Sequence, residues 1–511
     1  MNRSLLTCLL AVLGLAIGRA QNYEVDALLF STDDIVGTAR FSGTAGAFAS
    51  VGADATNGSY NPAGLGMYRR SAFTVTPDIV WSQVQSDYLQ STRDRGRTAF
   101  AFGNAAAVFN SPALTGGSER IRHGNIAVGV TRMNHFTVRE RIEATNKFHS
   151  YADRWRQEIQ VATGNQDAFF DFSNYDGSVS IDAVNAYQTF LVNWNDSLQT
   201  WTDPVNASID QRVNTTTKGG KSEIYLGGGW NYMDRVYFGF SLGLPIIRYE
   251  RELVAREVDV GDANTGDLYD FEEMTFTQTY ETSGLGFNGR FGVIYAPVRH
   301  VRLAASVQTP SRISLSETYF STIESRVIAS GFGESWLFEP PNEAEFDYTL
   351  RTPWKGVLGA SVIIKRSGFL SLDYEVTDFN AMRYDFGDEF ATESDALNES
   401  MQNTYRMAHS IRLGGEYAVN RMRFRGGVGY TSSPFEQDVA VEGNDLSRWR
   451  MSGGLGFRGD RFFIDLAYSR TQWNRYQLLY ALGGLAPDTP EAGAEQRRAM
   501  NHFTITLGFL R

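Results

Sequence analysis

From about Ala72 onward the chain repeats one pattern: stretches of roughly ten to fifteen residues with a large apolar side chain at every second position. In 236–249, Val236, Phe238, Phe240, Leu242, Leu244 and Ile246 fall on one face, and Gly239, Ser241 and Gly243 on the other. The preceding stretch carries Ile224, Leu226, Trp230 and Tyr232 in the same phase. Later ones carry Leu285, Phe287, Phe291, Val293 and Tyr295, then Leu370, Leu372, Tyr374 and Val376, and finally Phe503, Ile505, Leu507 and Phe509. A two-residue period is that of a strand with one apolar face. With weaker segments near 72–83, 98–109 and 124–138, the pattern predicts about fourteen strands.

The connections sort by length. Joints near 234–235, 297–300, 365–368, 420–421 and 458–461 are tight, and between them lie long polar stretches at 139–221, 251–275, 320–344, 382–403 and 476–499. Alternating short turns and long loops are the mark of an outer-membrane barrel, and an even strand count returns both ends to one side. A soluble β-sandwich keeps its greasy face within and its outward face polar. Here one face is bulky and apolar and the other is Gly, Ser, Thr, Asn, Arg or Asp, as lipid outside and a wet or filled lumen inside would require. The expectation is an all-β protein, a transmembrane antiparallel β-barrel of about fourteen strands.

Two regions depart from the alternation. In 139–221, Val184, Tyr187, Phe190, Leu191 and Trp194 recur at helical spacing, which predicts an amphipathic helix in a large external loop, either capping the pore or packed on the barrel rim. Residues 21–71 are dominated by Gly, Ala, Ser and Thr, with Phe41, Phe48, Val51 and Leu65 as isolated anchors. Small residues permit close backbone approach. A barrel of about fourteen strands has an interior that must be filled or conduct water. The leader therefore reads as a plug inside the lumen, with Phe41 and Phe48 as candidate ligand contacts or plug anchors. It ends at Asn61-Pro62-Ala63-Gly64. Pro62 biases Asn61 away from helix, and Asn before Pro is a good N-cap and N1 pair, so this tetrapeptide predicts a rigid corner into the first strand.

Length and composition sharpen the picture. Of 511 residues the first twenty read as a signal peptide: Arg3, an apolar run from Leu5 to Ile17, then Gly18-Arg19-Ala20. The expected division is 1–20 signal peptide, 21–71 plug, and 72–511 barrel with the loop at about 139–221. Cys8 is the only cysteine, and after cleavage there are no disulfides, thiolate metal sites or Cys nucleophile. A net charge of −11 argues against nucleic acid as a partner.

The order Gly37, Arg40, Ser42-Gly43, Gly46-Ala47, Asp54, then Asn61-Pro62-Ala63-Gly64 resembles the N-terminal hatch of the FadL/TodX family of outer-membrane transport proteins. The stretch 352–380 resembles that family's paired barrel strands with a short turn between them. The resemblance implies passive uptake of hydrophobic molecules, of the long-chain fatty acid or aromatic hydrocarbon type, into the bacterial outer membrane. Ligand would pass from the outer loops to a pocket in a plugged lumen and leave through a gap in the barrel wall, for which Gly124 and Gly129 are candidates. It also implies lipid and lipopolysaccharide as surroundings, a monomer, no enzymatic activity, and neither cofactor nor metal. The loop 139–221 is long for this family.

Other chemistry finds less support. Gly284-Gly286-Gly289 and Gly454-Gly456-Gly459 match a dinucleotide motif, but both lie in alternating strands rather than at a strand-to-helix turn. The six histidines show no metal-ligating spacing; a hydrolase using His135 or His409, haem ligation by His135 or His149, and a general porin stay open as alternatives. The fifty-residue leader stands against the porin, whose first strand begins near the mature N-terminus.

Overall fold

The computed structural model describes residues 23–511 except 112, 113, 115, 117–119, 172–176, 206, 207, 262–268, 330, 331, 339, 341, 342, 366, 437–444 and 484–488. The signal peptide expected at 1–20 lies outside the described residues. Fourteen antiparallel strands follow one another around a closed sheet. They are β1 (Ala72–Tyr88), β2 (Ser91–Asn110), β3 (Ile121–His135, resumed as Val138–Asn146), β4 (Ile209–Tyr232), β5 (Val236–Asp259), β6 (Tyr269–Val298) and β7 (Val301–Gln308, resumed as Arg312–Ala329). After them come β8 (Ala344–Arg351 and Lys355–Ile364), β9 (Gly368–Asp378), β10 (Met407–Val419), β11 (Met422–Thr431), β12 (Arg448–Arg458), β13 (Phe462–Leu478) and β14 (Gly493–Leu510). The ring closes where β1 pairs with β14, from Ala72↔Leu510 to Asp87↔Glu495. Among the described residues five α-helices lie off the wall: α1 (Tyr23–Ser31), α2 (Ala39–Ser42), α3 (Tyr151–Thr163), α4 (Ile181–Gln188) and α5 (Ala391–Thr404).

Strand β5 shows how the sequence specifies the wall. Phe238, Phe240, Leu242 and Leu244 are exposed, while Tyr237, Gly239, Ser241 and Gly243 are buried. The same outward set recurs around the ring, for example Leu285, Phe287 and Phe291 on β6, and Leu455 on β12. Residues 236–246 of a tilted strand span about 25 Å, the height of the apolar band of a membrane barrel. A surface dressed this way is solvated by lipid.

Above that band the phase persists but the polarity inverts. Ile247, Tyr249, Leu253 and Ala255 are now buried, and Arg248, Glu250, Glu252 and Arg256 are exposed. The strands thus run well past the membrane, with water on their outside and an apolar core within. This shrinks the loop expected at 139–221 to 147–208, and the stretches expected as loops at 251–275 and 320–344 are largely strand. One tight joint, Leu89-Gln90, breaks the alternation of short and long connections at the outer end, both residues adopting positive φ.

The long loop folds into the mouth of the protruding barrel. Its expected helix is shorter than the apolar spacing suggested: α4 stops at Gln188, Phe190 takes φ +60, and Trp194 belongs to a small hairpin with Trp201. A second helix, α3, carries a capping box in which the Ser150 side chain and Asp153 reciprocate. It buries Tyr151, Trp155 and Ile159 against Phe276 and Tyr480. The loop thus packs into the rim.

Candidate ligand-binding site in the barrel lumen

The leader is assembled from short capped turns. Thr38 caps α2 by accepting from Phe41 N (3.2 Å), and Asp54 caps the turn at Ala55–Ser59 by accepting from Thr56 N (3.0 Å). Asn61 is extended (φ −133, ψ 98) and caps Pro62–Met67, its Oδ1 accepting from Ala63 N at 3.2 Å. That turn continues through Gly64 and Gly66 to Met67, so the corner is longer than one turn.

Contacts from the leader reach the inward faces of strands around the ring. Ala39 N donates to Thr506 Oγ1 on β14 (2.7 Å), and Phe48 N and Ala49 N both donate to Asp373 Oδ2 on β9 (2.7 Å each). Tyr225 Oη on β4 donates to Ala55 O (2.7 Å), Asn125 Nδ2 on β3 to Leu65 O (2.9 Å), and Ser306 Oγ on β7 to Tyr60 O (3.1 Å). Small residues make this approach possible. A Cβ on Gly58 would overlap the Tyr225 ring, and one on Gly239 would overlap the Pro62 carbonyl.

Two cavities, about 80 and 60 Å³, flank the leader segment Asp33-Asp34-Ile35. The larger has an apolar side made by Leu28, Phe379, Ala408, Pro434 and Leu446. Its charged residues mostly pair off. Asp33 bridges Lys221 (2.7 Å) and Lys355, Asp34 meets Arg450 (2.9 Å), and Arg412 meets Glu375. Arg448 is the exception: its guanidinium lies 5.4 Å over the Trp473 ring and forms no ion pair among the described residues. The smaller cavity is lined by Val36, Phe41, Tyr60, Met133 and Val357 together with Asp33, Asp34, Lys355, Glu375 and Arg412.

Of the two aromatics singled out in the leader, Phe41 lines the smaller cavity, whereas Phe48 is fully buried against Phe369 (5.9 Å between centroids) beneath Arg40. Asn61, Pro62, Ala63 and Gly64 are all buried between the leader and β5–β6, away from both cavities. His409 is on the outer face of β10, stacked on Tyr374, so it does not join His135 inside. His149 has both ring nitrogens engaged, by Tyr480 Oη (2.9 Å) and Pro490 O (2.8 Å), which leaves no lone pair for haem iron. The first GxGxxG match lies within strand β6, and the second starts in β12 and ends at Gly459, in the tight turn just after it; neither meets a helix. The residues that shape the cavities, Asp33, Asp34, Lys221, Lys355 and Arg450, were not found from the sequence. An Asp-Asp doublet in a leader of small residues was the available signal.

The wall is not paired throughout. The β2–β3 ladder runs only from Asn104↔Thr131 to Asn110↔Asn125. Beyond Thr131, β3 turns inward and resumes as Val138–Asn146, paired with β4 alone, while residues 91–103 of β2 pair with β1 alone. Gly124 and Gly129, the candidates for a gap, lie outside this seam. Gly129 falls within the paired part, against Tyr225 and Ala105–Ala106, and Gly124 abuts Leu114. The bend has another cause. Met133 O accepts from Asp34 N (2.6 Å), Asn134 Nδ2 donates to Thr32 O (3.1 Å), and Phe136 packs between Phe30 and Tyr249. The leader itself holds β3 away from β2.

A Pseudomonas aeruginosa FadL homologue superposes with a TM-score of 0.51, covering 94% of this chain and 99% of that one at 12% identity. The P. putida toluene transporter TodX gives 0.52, with the same coverage and 11% identity. The chain has the FadL/TodX fold. No protein-family model matches the sequence, and no curated protein matches it. The likeness to these barrels is therefore one of architecture, over 94% of the chain.

Proposed function

We propose that this protein is a bacterial outer-membrane channel for passive uptake of small hydrophobic molecules, with residues 21–71 acting as a plug and no enzymatic step. The observation that carries the reading is the larger cavity: an apolar side facing charges that, among the described residues, form ion pairs except for Arg448, which Asp34 attracts only at longer range. Such a site suits an amphipathic ligand with an apolar body and an anionic head, of which a long-chain carboxylate is the simplest, over an uncharged aromatic hydrocarbon. The plug closes the barrel axis, so the route out is sideways through the seam between β2 and β3, where no ladder hydrogen bonds have to break. Phe41 would touch ligand; Phe48 and Asn61-Pro62-Ala63-Gly64 would hold the plug. Lipid and lipopolysaccharide would surround a monomer.

Native mass spectrometry of the extracted protein tests this. A bound fatty acid or similar lipid, lost from an Arg448→Ala variant, is the expected result. An empty lumen in protein extracted from cells supplied with oleate would count against it.

A further inference from the structure

Deep in the lumen, beside the foot of the seam, three side chains from three strands converge. Asp78 on β1, His135 at the inward-bent end of β3 and His502 on β14 each offer one donor atom, and the three atoms lie within 4.8 Å of one another. All three are at least nine-tenths buried, at 0%, 5% and 2% exposure. His502 Nδ1 is 2.8 Å from Asp78 Oδ2, and His135 Nε2 is 3.6 Å from the same oxygen. His135 Nε2 has no hydrogen-bond partner, although it is buried and aimed at the cluster. Leaving such a nitrogen unpaired costs about 1–3 kcal/mol, so its persistence calls for an explanation.

We propose that Asp78, His135 and His502 form a binding site for a divalent zinc-class ion. Ligands about 2.0–2.1 Å from a tetrahedral zinc stand about 3.3 Å apart, and the two measured separations bracket that edge. Two imidazoles and one carboxylate favour zinc over magnesium or calcium, which prefer all-oxygen shells. The surroundings are built as metal sites are. Asp78 Oδ1, the oxygen not facing the histidines, accepts from Thr504 Oγ1 at 2.8 Å. If His502 ligates through Nδ1, its proton sits on Nε2; that nitrogen lies 3.4 Å from Asp34 Oδ2 but, like His135 Nε2, makes no hydrogen bond as it stands, so Asp34 would have to close on it when an ion binds. Asp34 in turn is held by Arg450 at 2.9 Å. A carboxylate behind a ligating histidine fixes its tautomer and orientation. Asp34 also lines both cavities, which gives an ion a path to the site. An ion here would tie β1, β3 and β14 together across the unpaired seam. This goes beyond the uptake reading, and it stands or falls separately.

The test uses full-length protein without a polyhistidine tag, stripped with chelator in detergent and then titrated with zinc chloride. One zinc per chain is expected, with an X-ray absorption spectrum showing two imidazoles in a nitrogen/oxygen shell. Binding should be lost in His135→Gln and in Asp78→Asn, and should weaken about 10–100-fold in Asp34→Asn. Folding of each variant is checked by its unheated mobility on SDS gels. No stoichiometric binding to wild type, or equal binding by folded His135→Gln, overturns the proposal; the cluster would then be an ion pair between His502 and its two aspartates. Should the variants not fold, the wild-type spectrum decides: two imidazoles uphold the site and none overturns it.

Discussion

Asp373 offers the sharpest perturbation of the leader. Its Oδ2 accepts from Phe48 N and Ala49 N at 2.7 Å each and from Tyr60 Oη at 3.1 Å, and the side chain is fully buried. Asp373→Ala removes the acceptor of two backbone N–H groups inside the barrel. Each orphaned donor costs about 1–3 kcal/mol, so local docking of the leader onto β9 weakens by about 2–6 kcal/mol. At 1.4 kcal/mol per tenfold, even the lower bound raises the population of locally opened leader about 30-fold. The reporter is a cysteine at Ser50, which is fully buried beside Ser371 (3.5 Å), in a Cys8→Ser background with no other thiol. When opening and closing are fast, the maleimide labelling rate follows the open population. Labelling should be slow in the parent and at least about 30-fold faster with Asp373→Ala; Asp373→Asn, which keeps one acceptor oxygen, should fall between. Rates within a factor of about three in all three proteins would refute the idea that this carboxylate seats the leader.

Other perturbations probe the wall, the corner and the outer loop. Arg290 and Glu223 form a fully buried bidentate pair (2.7 and 2.8 Å) across β5, so Glu223→Ala should destabilise by about 3–5 kcal/mol, seen as a lower temperature for loss of the unheated gel mobility. Gly239→Ala would drive a Cβ into the Pro62 carbonyl, and the same assay should show a loss of about 1–3 kcal/mol while the outward apolar face is untouched. In the outer loop, burial and the neighbouring Asp153 charge push Asp203 up to about 6, against the pull of Arg156. Because the folded loop favours the protonated acid, its stability falls as pH rises from about 4 to 6, and amide protection factors in α3 should drop over that window in wild type and stay level in Asp203→Asn.

Much of the wall was legible because lipid imposes a single rule on it: within 236–246 every second side chain is bulky and apolar, and the structure turns that set outward. The rule fails where the solvent changes. Past Ile247 the strand keeps its period, but water replaces lipid outside and α3 and α4 supply an apolar filling inside. A run such as Glu252 and Arg256 then reads as loop. The helix α3 had local signals that went unused, a Ser150/Asp153 box and Tyr151, Trp155 and Ile159 four residues apart. The seam had little. On β3 itself no glycine or proline marks the bend at Phe136; the nearby sign is Gly219-Gly220 on β4, opposite it, with Gly219 at φ +99 accepting from Phe136 N. Leader residues about a hundred positions away hydrogen-bond to Met133 and Asn134. The same holds for the Asp78/His135/His502 cluster, whose members come from β1, β3 and β14 and meet only because the barrel closes.

The account turns on hydrophobic solute leaving through the β2–β3 seam. Ala101 on β2 and Val138 on the resumed part of β3 share one apolar cluster beside it, so cysteines at both positions can be joined by a short bismaleimide. The decisive measurement is uptake of radiolabelled oleate by cells producing this variant, before and after cross-linking. The prediction is a fall to the level of cells lacking the protein, and undiminished uptake with cross-linking complete would contradict the account.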